Sequence, residues 1–100
     1  MATSSKALFR GAATTTSATL YTVPSSTTTV VTNVLVTNTA TSNASFDMSL
    51  DDIQIANDVV VAANDTVNID MKQVLAAAKT IKGLASATTI NFHISGVEIV

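Results

Sequence analysis

Thr66-Val67-Asn68-Ile69-Asp70-Met71 alternates polar and apolar side chains without a break. Successive side chains of a strand point to opposite faces, so this period of two buries Val67, Ile69 and Met71 and leaves Thr66, Asn68 and Asp70 to solvent. A helix would need apolar positions three and four apart. The segment is therefore read as a half-buried strand.

The same signal recurs on both sides. Phe46-Asp47-Met48-Ser49-Leu50 places three large apolar groups inward and predicts another half-buried antiparallel strand. Asp51-Asp52 suits a turn, Ile53 and Ile55 alternate around Gln54, and Asn57-Asp58 punctuates before Val59-Val60-Val61, which predicts two short strands. Residues 28–38 are nearly all β-branched and predict a long strand with Val30, Thr32, Val34 and Val36 on one face and Val31, Asn33, Leu35 and Thr37 on the other. A strand over 18–23 ends at Pro24-Ser25-Ser26, a turn sequence. Near the end, Ile90, Phe92 and Ile94 alternate with Asn91, His93 and Ser95, and Gly96 is read as a bulge that shifts the phase before Val97 and Ile99. Only residues 72–79, Lys-Gln-Val-Leu-Ala-Ala-Ala-Lys, hold good helix formers, and they predict one or two helical turns.

Seven or eight short strands with frequent turn signals define an all-β fold, an antiparallel β-sandwich of Ig-like or jelly-roll-like topology over residues 18–100. Residues 1–17, mostly Ala, Ser, Thr and Gly, are expected to form an extended N-terminal arm. Ordering each residue costs about 1–2 kcal/mol of backbone entropy, while burying Leu8 and Phe9 returns roughly 1.5–3 kcal/mol apiece, so the arm needs outside support. Leu8, Phe9 and Arg10 form its one amphipathic cluster and are the candidate protein-interface residues. The cluster either lies over its own sandwich or reaches a neighbouring subunit, and in the second case removing residues 2–11 leaves the sandwich folded.

The 100-residue chain is one domain in size, 47% hydrophobic and only 12% charged, against about 25% charged in an average domain. Ser and Thr take the place of the missing charge, and hydroxyls cost less to bury under a partner than charges do. A net charge of −2 offers no basic footprint for nucleic acid. Without cysteine there is no disulfide or thiolate metal site. The start lacks the apolar run of a secretory signal and no membrane-length apolar stretch occurs, so a soluble intracellular product and no membrane partner are expected.

Chemistry-bearing patterns are sparse. His93, the only histidine, sits on the polar side of its strand, where a Ser-His-Asp arrangement would have to be built around it. Asp47, Asp51 and Asp52 lie close together but lack the calcium-loop spacing, and Gly11, Gly83 and Gly96 are too scattered for a phosphate loop. No catalytic residue, metal ligand or cofactor is assigned, and the chain is read as a structural or binding protein and not an enzyme.

Several stretches together resemble small virion proteins of tailed bacteriophages: Leu20-Tyr21-Thr22-Val23-Pro24, Val34-Leu35-Val36-Thr37-Asn38-Thr39, Val61-Ala62-Ala63-Asn64-Asp65-Thr66 leading to Lys72-Gln73-Val74-Leu75, and His93-Ile94-Ser95-Gly96-Val97-Glu98-Ile99. In that pattern a Gly stands near the position of Ala78. The resemblance covers residues 18–100 and implies a structural role in the virion, made in the host cytoplasm. A capsid decoration protein that bridges subunits of the major capsid protein is favoured, because no coiled coil or repeat is present to build a shaft. A neck, tail or fibre-attachment component, with a loop such as 39–43 touching a receptor or glycan, is the alternative. A homo-oligomer, trimer or dimer, is expected in either case.

Overall fold

The computed structural model describes residues 2–100, and Met1 lies outside them. Eight strands follow in order: β1 (Thr3–Ala12), β2 (Ala18–Thr22), β3 (Thr28–Asn38), β4 (Ala44–Leu50), β5 (Ile53–Val61), β6 (Thr66–Leu75), β7 (Thr80–Ala85) and β8 (Ile90–Ile99). Strand β1 pairs with β8, β2 with β7, β3 with β6 and β4 with β5, all antiparallel, as if one long hairpin had been folded at the Asp51-Asp52 turn. Rolling that ribbon brings β3 beside β8 and β4 beside β7. Two four-stranded sheets result, β1-β8-β3-β6 and β2-β7-β4-β5. This is jelly-roll connectivity, one of the two topologies that alternation alone left open.

The inner faces meet in one core. Phe46 of β4 and Phe92 of β8 make an edge-to-face contact across the sheets, with ring centroids 5.8 Å apart and planes at 73°. Val31, Val34, Val36, Ile81, Ile90 and Ile94 fill the space around them. Each such side chain contributes roughly 1.5–3 kcal/mol by leaving water.

The expected helical turns at 72–79 are not formed. Strand β6 continues to Leu75, and residues 76–79 make a turn in which the Ala76 carbonyl accepts from the Lys79 amide at 3.2 Å. Eight residues cannot offset helix nucleation by themselves. Pairing Gln73, Val74 and Leu75 with Val31, Val30 and Thr29 satisfies the same backbone groups and buries Leu75, so long-range contacts override local propensity.

Two expected interruptions are also absent. Residues 53–61 form one strand, with Asn57 and Asp58 bulged opposite Asp47, whose carboxylate accepts the Asp58 amide at 2.6 Å. Gly96 does not shift β8, which keeps Ile90, Phe92, Ile94 and Gly96 on its inner face. The extra residue is Thr32 in the neighbouring strand: between Gly96 and Ser95 of β8 lies one step, between Val31 and Asn33 of β3 two, and between Gln73 and Asp70 of β6 three. The sheet fans open there. Val31 therefore points inward and Val30 outward, the reverse of the uninterrupted alternation.

Residues 3–12 are extended, as expected of an arm, but as an integral strand. Strand β1 pairs with β8 along its length, and Ala2 and Val100 close the ladder with bonds of 3.0 and 2.8 Å. No helix among the described residues is long and apolar enough to cross a membrane.

Candidate interaction surfaces

The Leu8-Phe9-Arg10 cluster is divided by the fold. Leu8 is the extra residue of a β1 bulge between Ala7 and Phe9, which turns it into the core at 7% exposure, with Phe9 packed against the same core. Gly96 makes room for it: a Cβ there would lie 2.8 Å from Leu8 Cδ1 and 2.5 Å from the Val30 carbonyl oxygen. Of the two readings of the cluster, the fold uses Leu8 and Phe9 within their own chain. Arg10, opposite His93, is the one member left exposed.

All four edge strands carry irregularities. Leu8 is extra in β1, Leu20 in β2 and Ile55 in β5, while Met71 and Lys72 of β6 together oppose Thr32. Bulges protect a sheet edge from continuing into another sheet, a task for which this chain has few charges. The apolar side chains along these edges differ in exposure. Along β1 and β2, Leu8 is buried and Leu20 packs on the core. Along β5 and β6, Ile53, Ile55 and Val74 remain 69, 43 and 67% exposed.

A groove runs down that second side as two adjoining depressions of about 230 Å³ each, walled by Ile53, Ile55, Ile69, Met71, Gln73 and Val74. Exposed aliphatic side chains clustered at a groove, rather than scattered, mark an interaction site. Sequence reading missed it because Ile53, Ile55 and Val74 look like ordinary strand residues until the topology puts β5 and β6 at the same margin.

At one end of the sandwich a polar clasp joins the sheets. The Tyr21 hydroxyl of β2 lies 2.5 Å from Glu98 Oε2 and 2.9 Å from Thr29 Oγ1, and Lys6 Nζ stands 3.4 Å from the Glu98 carboxylate. Burial, then the neighbouring Glu98, raises the Tyr21 hydroxyl above its ordinary value. The Tyr21 hydrogen bond, then Lys6, holds Glu98 below the ordinary carboxylate value.

The chemistry-bearing side chains are dispersed. Leu35 and Arg10 flank His93 on the outer face of its sheet, and neither is a hydroxyl or carboxylate. Asp51 pairs with Lys79 at 3.4 Å and Asp52 with Lys82 at 2.7 Å, while Asp47 holds the β5 bulge. The Lys82 contact lowers the Asp52 carboxyl. Among the described residues no group of three or more His, Asp or Glu is placed to hold a metal.

Loop 39–43 is anchored by the fully buried Asn38, whose amide donates to the Ser42 and Val61 carbonyls at 2.8 and 3.1 Å and accepts from the Ala40 amide and Thr89 hydroxyl. Its exposed tip residues are thus carried on a fixed base. No family model, curated protein or solved structure matches the chain.

Proposed function

We propose that this protein is a virion structural component, a capsid decoration protein that lies on the outside of a phage head and bridges neighbouring subunits of the major capsid protein. The observation that carries this reading is the apolar groove between β5 and β6, where Ile53, Ile55 and Val74 stand exposed. Its partner covers Ile53, Ile55 and Val74 and is stabilised by binding, because a ligand of the assembled state alone favours that state. Jelly-roll domains recur in viral capsid proteins, lectins and cupins.

The test is occupancy on purified particles. Decoration requires hundreds of copies per particle, whereas a neck, tail or fibre-attachment part requires few. The variant I53K/V74K changes two exposed side chains, keeps the melting temperature and loses the particle. Wild-type occupancy by that variant, or absence of the protein from particles, overturns the assignment.

A further inference from the structure

The fan in the first sheet leaves a trough across its outer face. Two open depressions, of about 360 and 560 Å³, share Thr32 as a common wall. One extends over Ser5, Ser95 and Arg10 on β1 and β8, and the other over Asp70 and Lys72 on β6. The trough therefore crosses all four strands at the level where the ladder is irregular.

Its charges are distinctive. Three of the chain's five Lys and Arg side chains are held in ion pairs: Lys6 with Glu98, Lys79 with Asp51 and Lys82 with Asp52. The other two, Arg10 and Lys72, make no ion pair among the described residues, and they stand at opposite ends of this trough. Between them the lining includes Ser5, Thr32, Ser95 and Lys6, whose ammonium is engaged by Glu98; Thr32 donates to the Ser95 carbonyl at 3.2 Å. Asp70 accepts from Asn68 at 3.2 Å and from Asn33 at 3.4 Å.

We infer that this trough is a docking site for an extended, acidic segment of a partner protein, whose carboxylates meet Arg10 and Lys72 while its backbone lies over the serine-lined floor. The spacing selects the segment. Crossing from β1 to β6 covers three interstrand steps, about 14 Å, and Arg10 lies level with Leu35 while Lys72 lies level with Thr32, a further offset of about 9 Å along the strands and roughly 17 Å in all. Two carboxylates four residues apart on an extended chain stand about 13 Å apart on one face, and the long Arg and Lys side chains close the remaining distance. Arg offers a forked donor to one carboxylate and Lys a point charge to the other. The site meets the apolar groove at Met71, which lines both, and holds for any partner with such a segment, on a particle or elsewhere.

The test uses the full chain, labelled with ¹⁵N, and the blocked peptide TETVTET at low salt. Amide shifts centred on Ser5, Thr32 and Ser95 are expected, with affinity at least five-fold above TQTVTQT and at least three-fold above TETETVT, where the acids are two apart. R10Q/K72Q, which alters only exposed side chains, brings TETVTET down to the level of the glutamine peptide, and D70N tightens it about two-fold. Equal binding of the three peptides, shifts centred elsewhere, or no shifts at millimolar peptide overturns the inference. Larger shifts with a sulfated hexasaccharide or an oligothymidylate at equal concentration also overturn it, in favour of sulfate or phosphate recognition.

Discussion

The Tyr21 hydroxyl and the Glu98 carboxylate meet at 2.5 Å, and this contact ties β2 of one sheet to β8 of the other. Glu98 sits at an inward position of β8, two residues beyond Gly96, where uninterrupted alternation would otherwise bring an apolar side chain into the end of the core.

Replacing Tyr21 by Phe removes both hydroxyl contacts and leaves Thr29 and Glu98 without that partner. The expected cost is about 1–2 kcal/mol, read as a fall of several degrees in thermal midpoint. The pH dependence follows from the same pair. Because Glu98 is held below 4.5 in the folded state, its contribution is complete above that value and is lost as pH falls through the lowered one. Tyr21 is raised above 10.0, so its contribution is complete below pH 10.0 and disappears as pH rises through the raised value. Y21F should flatten both limbs of a melting-temperature profile, and an unchanged acid limb would count against the clasp.

Removing residues 2–11 should unfold the domain, the reverse of what a free arm implies. The deletion strips β8 of one neighbour and the core of Leu8. Leu8→Ala alone should cost roughly 2–5 kcal/mol, measured by urea denaturation. A truncated chain with native amide dispersion would contradict the pairing of β1 with β8.

Ala78 has φ of 71°, a left-handed backbone that favours glycine, at the third position of the turn over 76–79. Ala78→Gly should relieve about 1 kcal/mol of strain, less the greater unfolded-state freedom of glycine, and raise the melting midpoint by a few degrees. Gly96→Ala goes the other way, because its Cβ meets the Val30 carbonyl at 2.5 Å. Calorimetry on the two variants should give shifts of opposite sign.

Asn38→Ala should cost about 2 kcal/mol or more, since the buried Val61 carbonyl and the partly buried groups at Ala40, Ser42 and Thr89 lose their partner together. Hydrogen exchange provides the check: protection should fall at Ala40, while the amides of Phe46 and Phe92 keep theirs.

Alternation is a property of neighbouring residues, and for that reason much of the fold was legible without coordinates. Val67, Ile69 and Met71, Phe46, Met48 and Leu50, and Ile90, Phe92 and Ile94 announce strands and their buried faces, because each face is fixed by the pleat of its own strand. The same reading misplaced Val30 and Val31, since the extra Thr32 is defined only by the registers of β6 and β8 on either side. It took 72–79 for helix because propensity is local, whereas the pairing of Val74 with Val30 is not. Both candidate surfaces were hidden for a related reason. Nothing in Ile53, Ile55 or Val74 says that β5 and β6 will share a margin, and nothing in Arg10 or Lys72 says that one trough will connect them. Tertiary structure alone decided those relationships, because exposure depends on which strands the roll leaves at its edges.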